Sequence, residues 1–257
     1  MKRKLNAKKL PPLFAGMGLC SLLARIALFI LGGDEKGLLI PGHPLDLLSW
    51  ALAAAAMVLI AAAVPGLGGS KKYADNFGPS AAAAIGCFML AGGIAATAIQ
   101  DWSLWAPRLE QVRNLCGLLA VPALVVLGLH RRKGAQPFFL LHGTVCLYLI
   151  LYAVSHYQYW SSHPQLQDWF FSMAASILLT LFSYYQTAFD VSMGSRRMQL
   201  GTGLAAAFFC IAAMADGKDL LLYLGGGAWA LTNLCSLTPV PRRRRNPLTE
   251  VPREEEK

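Results

Sequence analysis

Hydrophobic residues fall into eight long runs, and short polar or charged segments separate one run from the next. Each run has 18 residues or more, enough for an α-helix to cross hydrocarbon about 30 Å thick at about 1.5 Å per residue. Helices are expected because lipid cannot satisfy backbone N–H and C=O groups. The pattern therefore predicts an all-α integral membrane protein with eight transmembrane helices. The predicted spans are 11–32, 46–66, 79–100, 112–130, 136–155, 166–190, 198–215 and 219–237.

The last two runs are short, and only Asp216, Gly217 and Lys218 separate them. They fit either two complete spans or a re-entrant pair that enters and leaves on one side. Asp216 and Asp219 are interpreted as solvated charges of the turn between these runs. In both arrangements the C-terminus returns to the same side of the membrane.

The composition favours a membrane protein over a soluble one. Of the 257 residues, 55% are hydrophobic and 14% are charged, whereas a soluble domain contains roughly 25% charged residues. Between Lys133 and Arg196 there is no Lys or Arg. The six cysteines lie inside hydrophobic runs and form no C-x-x-C motif. They are interpreted as small buried side chains, and no cofactor is expected.

The basic residues predict the orientation of the chain. If the N-terminus lies inside, 18 of the 23 Lys and Arg residues fall in inner tails and inner loops. The positive-inside rule then places both termini in the cytoplasm, and we expect a bacterial cytoplasmic membrane. Residues 1–10 form a basic tail, 11–237 the transmembrane domain, and 238–257 a polybasic and acidic tail. The basic loops and tails fit anionic lipid headgroups better than nucleic acid.

The sixth predicted span, with the adjoining residues, reads DWFFSMAASILLTLFSYYQTAFD from 168 to 190 and is rich in polar residues. At about 100° per residue, its polar side chains project within an arc on the order of 120°. They are Asp168, Ser172, Ser176, Thr180, Ser183, Gln186, Thr187 and Asp190. The opposite side, expected to face lipid, carries Phe170, Phe171, Ala174, Leu178, Leu181, Phe182, Tyr185 and Phe189. The polar face is therefore expected to meet protein or water.

Two interpretations of this polar face remain open. The spacing Ser-x-x-x-Ser-x-x-x-Thr is typical of a packing seam, where small side chains let helices approach closely. A seam does not explain Gln186, so the face could instead line a hydrophilic path or pocket between Asp168 and Asp190. Asp190 also has a simpler explanation, which is an ion pair with Arg196 or Arg197 near the inner interface. All eight polar residues are candidate substrate-binding residues.

Apart from Arg113, which lies at the outer edge of the fourth span, Arg25 is the one Lys or Arg within a predicted span, and it lies in the outer half of the first. Its burial in lipid would cost several kcal/mol. The side chain could extend outward to lipid phosphates, or it could pair with Asp34, Asp46 or Asp168. Arg25 joins the candidate substrate-binding residues.

The histidines give a weaker indication of chemistry. His142 and His156 lie 14 residues apart on the fifth span, hence about 21 Å apart along one face, too far to bind one haem. His43 and His163 could meet His156 near the outer surface, with nearby aspartates, in a metal-binding or pH-sensing cluster. Isolated histidines are more often simply hydrogen-bonded, so no metal site is assigned.

No motif for catalysis is present in the sequence. It contains no H-E-x-x-H, G-x-S-x-G or P-loop, and no enzymatic activity is assigned. The leading hypothesis is a small permease-like or channel-like protein with a polar path along the sixth span. The alternative is a non-transporting membrane sensor, assembly factor or subunit of a larger complex. The expected partners are the lipid bilayer and either another membrane protein or a second copy of the chain.

Overall fold

A computed structural model describes residues 9–32, 42–66, 69–103, 106–161 and 169–238. Over these ranges the chain is helical, apart from turns and one isolated bridge between Phe77 and Leu237. In chain order the helices are α1 (Leu10–Leu31), α2 (Pro44–Ala63), α3 (Tyr73–Asn76), α4 (Ala81–Gln100), α5 (Arg108–Lys133), α6 (Phe139–Trp160), α7 (Phe170–Asp190), α8 (Arg196–Ala213) and α9 (Leu220–Cys235). The predicted all-α fold class is confirmed.

Six of the described helices are long and apolar enough to cross a membrane, namely α1, α2, α4, α5, α6 and α8. A membrane protein with several spans is therefore supported. α7 and α9 correspond to the predicted spans 166–190 and 219–237 but are not among the six. α7 has 21 residues with a polar face, and α9 has only 16 residues. That these two helices also cross the membrane stays a prediction.

Local sequence explains where several helices begin and end. The Ser80 hydroxyl caps α4 by accepting a hydrogen bond from the Ala83 amide at 3.2 Å. The His43 ring caps α2 by accepting one from the Leu45 amide at 3.3 Å. α5 ends at Gly134, whose φ of 71° lies in the left-handed region that glycine adopts without strain. These caps satisfy backbone groups that the helices themselves leave without partners.

Helices α4 to α9 form a closed sequence of neighbours. Each packs on the next along the chain, and α9 returns to pack extensively on α4. α1 packs on α8, and α2 lies farther out against α1 and α8. The largest fully buried side chains of the core include Trp229, Tyr148, Tyr152, Tyr223 and Phe182. The core is thus strongly aromatic, and α1 and α2 are added to one side of it.

Glycines allow the close packing of α4 on α9. A Cβ atom added to Gly93 would lie 2.5 Å from the Leu221 carbonyl oxygen. One added to Gly225 would lie 2.6 Å from the Met89 carbonyl oxygen. Because neither position leaves room for a side chain, the two backbones approach as small residues permit in membrane helices.

α1 and α8 run in the same direction. Near the middle of α1, Gly18 lies against Ile211 of α8. Farther along α1, Arg25 pairs with Asp216, in the 3₁₀ turn Met214–Asp216 that follows α8. The start of α1 therefore lies at the same end of the bundle as the start of α8.

The chain enters and leaves the described structure at one end. At the start of α8, Arg196 donates a hydrogen bond to the carbonyl oxygen of Thr238, just after α9, at 2.6 Å. We call this the basic end; its charged residues include Lys71, Lys72, Arg131, Arg132, Lys133, Arg196 and Arg197. We call the opposite end the acidic end; among the described residues its acids are Asp46, Asp101, Glu110, Asp216 and Asp219, beside Arg25, Arg108, Arg113 and Lys218. Which end faces the cytoplasm stays a prediction.

Candidate functional site

The polar face of α7 is turned into the protein. Its buried members are Ser172, Ser176, Ser183, Gln186 and Asp190, and its partly buried members are Thr180 and Thr187. The exposed residues of α7 include Ile177, Leu181 and Tyr184. This orientation agrees with the expectation that the polar face avoids lipid. Asp168 lies outside the described residues.

Three phenylalanines of α7 correct the expected lipid-facing side. The sequence pattern places Phe171, Phe182 and Phe189 toward lipid, but all three are fully buried. Phe182 meets the Trp229 ring edge-on with centroids 4.9 Å apart, and Phe189 meets Phe77 in the same way at 5.2 Å. α7 packs on both α6 and α8 and also touches α9. These helices therefore cover a wider arc of the α7 surface than the polar residues alone occupy.

The hydroxyl groups along α7 are satisfied mostly within the helix. Ser176 donates to the Met173 carbonyl oxygen and Thr180 to the Ser176 carbonyl oxygen, both at 2.8 Å. Thr187 donates to the Ser183 carbonyl oxygen at 3.0 Å. Bonds of this kind hide the hydroxyl proton but leave the oxygen able to accept a further hydrogen bond.

On α7 and α8, nearer the basic end, several buried polar atoms have no hydrogen-bond partner among the described residues. They are Ser183 Oγ, Gln186 Nε2, Asp190 Oδ1 and both amide atoms of Gln199. A buried polar atom left unsatisfied costs about 1–3 kcal/mol, so a group of them marks a candidate site for a polar ligand. Sequence reasoning missed Gln199; the available signal was an amide near the start of an otherwise hydrophobic run.

Gln186 and Gln199 lie on helix faces that contact each other. A Cβ atom added to Gly203 would lie 2.7 Å from the Phe182 ring and 3.0 Å from Leu234. This face of α8 is therefore the one directed at α7 and α9. Gln199 lies one turn before Gly203, and Gln186 lies one turn after Phe182 on the antiparallel neighbour. The two amides thus project toward the same interior region, one turn closer to the basic end.

α9 supplies a third amide at this level. Asn233 is buried and lies one turn after Trp229, whose ring contacts Phe182. Its Nδ2 atom donates to the Trp229 carbonyl oxygen at 2.9 Å. We call Gln186, Gln199 and Asn233 the amide cluster. Amides both donate and accept hydrogen bonds and carry no charge, so the cluster suits an uncharged polar group.

Asp190, at the end of α7, pairs with a histidine. The His142 Nδ1 atom lies 2.6 Å from Asp190 Oδ2, and both side chains are buried. Gln136 donates to the Asp190 backbone carbonyl oxygen, also at 2.6 Å. The expected ion pair with Arg196 or Arg197 is wrong, since these arginines bond to groups outside α7. Asp190 projects inward against α6, away from the surface where an arginine could reach it.

Arg131 forms a second buried group at the basic end. The sequence pattern suggests an exposed loop charge, yet the side chain is almost completely buried. It donates hydrogen bonds to the Tyr73 hydroxyl at 3.3 Å and to Ser236 Oγ at 2.6 Å. Its guanidinium lies 4.5 Å from the centre of the Phe77 ring. Burial raises the pKa of Tyr73 and outweighs the opposing effect of Arg131.

At the acidic end, Arg25 pairs with Asp216. The Arg25 Nη2 atom lies 2.5 Å from Asp216 Oδ1, and each side chain is only 2% exposed. Ser172 of α7 donates a hydrogen bond to the other carboxylate oxygen. The guanidinium stacks 4.2 Å from the centre of the Phe171 ring. Because both side chains are almost fully buried, Arg25 does not extend to lipid, and Asp216 is not the solvated turn charge expected from the sequence.

Asp219 is also buried and belongs to a network of residues from three helices. Its Oδ2 atom accepts a hydrogen bond from the Tyr152 hydroxyl at 2.9 Å and lies 3.1 Å from His156 Nε2. Next to His156, Arg113 pairs with Asp101 at 2.7 Å. The solvated turn predicted for this residue is therefore wrong.

The polar face of α7 thus runs between two buried pairs of ionisable side chains. Ser172 contacts the Arg25–Asp216 pair at one end, and Asp190 contacts His142 at the other. Comparison of the chain with protein-family models, with curated proteins and with solved structures finds no match. Function is therefore inferred from this geometry alone.

Proposed function

We propose that the chain is a small permease-like membrane protein in which an uncharged polar solute passes along the inward face of α7. The observation that supports this most directly is the group of buried, unsatisfied polar atoms on Ser183, Gln186, Asp190 and Gln199. In a membrane interior, polar side chains that are not needed for folding are costly and are kept for function. A solute that donates and accepts hydrogen bonds would satisfy these atoms.

The proposal includes the topology expected from the sequence. All eight long helices cross the membrane, and the basic end lies in the cytoplasm. The polar residues of α7 do not prevent it from crossing, because they face the protein while Ile177, Leu181 and Tyr184 face outward. Labelling of cysteines introduced at Lys71 and Lys218, from each side of the membrane, would test the assignment. If the cysteines at both positions are labelled from the same side of the membrane, the assignment is contradicted.

The transport proposal is tested with purified protein in liposomes and small neutral probes. Urea and glycerol permeability is measured by stopped-flow light scattering, and we expect values above those of protein-free liposomes. Changing Gln186 and Gln199 together to Leu should return permeability to the background. Because the change removes unsatisfied amide atoms, thermal stability should be unchanged or higher. A packing role alone predicts no loss of permeability.

A second double variant tests the middle of the path. Ser176→Leu with Thr180→Leu places bulk on the inward face of α7 and should abolish permeability while folded protein remains in the membrane. Ile177→Leu, on the exposed side of the same helix, is the matched control and should behave like the wild type. Equal permeability in the double variant and the control would contradict the proposed path.

The alternative, a non-transporting subunit or sensor, has to use another surface. A partner helix cannot dock on the polar face of α7, because helices of this chain already cover it. α2 is the least buried of the six described helices that are long and apolar enough to cross a membrane. If the liposome measurements show no permeability for either probe, a partner bound at α2 becomes the better hypothesis.

A further inference from the structure

We propose that Asp101, His156 and Asp219 bind one divalent transition-metal ion, with Zn²⁺ or Mn²⁺ as the matching chemistry. The three residues come from the end of α4, from α6 and from the turn before α9. One ligand atom of each lies within 4.8 Å of the other two. One imidazole nitrogen and two carboxylate oxygens form a mixed donor set that suits these ions. This inference is independent of the proposed transport function.

The orientation of His156 is the main argument. Its Nδ1 atom lies 3.1 Å from the Tyr152 backbone carbonyl oxygen, and its ring stacks on the Tyr152 ring at 4.0 Å. A metal-binding histidine usually donates its second N–H to such a carbonyl, which fixes the tautomer. The Nε2 lone pair then points at Asp219 Oδ2, 3.1 Å away. Two electron-rich atoms at this distance need a proton or a metal cation between them.

Metal binding requires the Asp101 side chain to move. Two ligands of a tetrahedral ion, each at about 2.0–2.2 Å, lie about 3.3–3.6 Å apart. The 3.1 Å between His156 Nε2 and Asp219 Oδ2 is close to this value. The three ligand atoms together lie within 4.8 Å of one another, so the Asp101 carboxylate, the most exposed of the three, has to close by up to about 1.5 Å. Asp101 is 28% exposed, whereas Asp219 and His156 are almost fully buried, so an ion could enter past Asp101.

The neighbouring residues hold the proposed ligands in place. Tyr152 donates a hydrogen bond to Asp219, and Arg113 donates one to Asp101. Interactions of this kind orient the ligands of metal sites. The backbone of Asp219 has φ 55°, in the left-handed region, which Asp and Asn adopt more readily than most L-residues.

The competing state is a proton shared by His156 and Asp219. Arg113 Nη1 lies 3.5 Å from His156 Nδ1, and in the other tautomer Nδ1 would accept this hydrogen bond while Nε2–H donated to Asp219. Arg113 also repels a cation, so the two states have to be separated by direct measurement. Arg113 donates to Ser155 at the shorter distance of 3.0 Å, which favours the tautomer that the metal requires.

The test uses the full chain purified in detergent and stripped of metal with a chelator. The protein is equilibrated with Zn²⁺ or Mn²⁺, and bound metal is measured by mass spectrometry together with the thermal unfolding midpoint. We expect one equivalent per chain and a higher midpoint with metal. Asp219→Asn should abolish both effects. Asn is among the residues that best tolerate the left-handed conformation and can still accept from Tyr152, so this variant should fold.

A matched control and a second ligand variant complete the test. His142→Gln removes the other buried histidine that is paired with an aspartate, and it should leave metal binding unchanged. Asp101→Asn should weaken binding at least tenfold, because it removes the third ligand. A wild-type chain that binds neither ion would overturn the proposal and assign the contact to a shared proton. Binding that Asp219→Asn leaves unchanged would also overturn it, because the ion would then occupy another site.

Discussion

Removal of Arg25 should destabilise the protein much more than removal of the whole ion pair. Arg25 and Asp216 are both almost fully buried, and their charged atoms lie 2.5 Å apart. Arg25→Met leaves the Asp216 carboxylate buried beside an apolar side chain. Breaking a buried pair in this way typically costs about 3–5 kcal/mol. The hydrogen bond from Ser172 to Asp216 places the expected cost toward the lower value.

The double variant Arg25→Met with Asp216→Asn should recover most of this loss. It removes both charges, and replacement of a buried ion pair by neutral groups is often close to neutral for stability. The loss of the stacking on Phe171 remains and costs roughly 0.5–2 kcal/mol. We therefore expect a coupling energy between Arg25 and Asp216 of about 2–4 kcal/mol from a double-mutant cycle.

The assay is reversible unfolding in detergent, supported by thermal unfolding midpoints. For a chain of this size, each kcal/mol of lost stability lowers the thermal unfolding midpoint by roughly 2–4 °C. The midpoint of the single Arg25 variant should therefore be about 6–20 °C lower than that of the wild type. Leu23→Met, at a 66% exposed position on the same helix, is the control and should change the midpoint little. A loss in the double variant equal to the sum of the losses in Arg25→Met and Asp216→Asn alone would refute the reasoning, because the pair would then carry no coupling.

Three further results follow from positions described above. Gly93→Ala should lower the free energy of unfolding by about 1–3 kcal/mol, because its Cβ would meet the Leu221 carbonyl oxygen, whereas Gly92→Ala, with open space around it, should not. Burial raises the pKa of Tyr73 in the folded protein. The contribution of the neutral Tyr73 side chain to stability is therefore fully present below pH about 10 and is lost as the pH rises through the folded pKa. Tyr73→Phe should make the free energy of unfolding less sensitive to alkaline pH, as measured by unfolding curves from pH 8 to 11. Arg131→Lys should lower the thermal midpoint despite the retained charge, since lysine lacks the planar guanidinium that stacks on an aromatic ring.

The elements of the fold were predictable because they depend on local pattern. Hydrophobic runs between charged segments specify the long helices, and the spacing of the polar residues along 168–190 identified the face of α7 that avoids lipid. The same spacing could not show that Phe171, Phe182 and Phe189 are buried. Their burial depends on how many neighbouring helices surround α7, which is a property of the assembled bundle.

The charged residues of the site were harder to predict, because their partners are far away in sequence. Arg25 and Asp216 are 191 residues apart, and a turn sequence such as 216–219 looks solvated unless the helices around it are known. Asp190 has arginines nearby in sequence, yet its partner is His142 on α6. Reasoning from residues that are close in sequence therefore gave the wrong surroundings for Asp216 and the wrong partner for Asp190.

The separation of Arg25 and Asp216 also has a consequence for biosynthesis. The guanidinium is synthesised 191 residues before its carboxylate, so at roughly 5–20 residues per second the first helix waits for about 10–40 s before that acid exists. α1 consequently reaches its final place against α8 only after α8 and Asp216 have been synthesised. Until then the insertion machinery or the headgroup layer has to shelter one positive charge, which makes the docking of the first helix a late event in maturation.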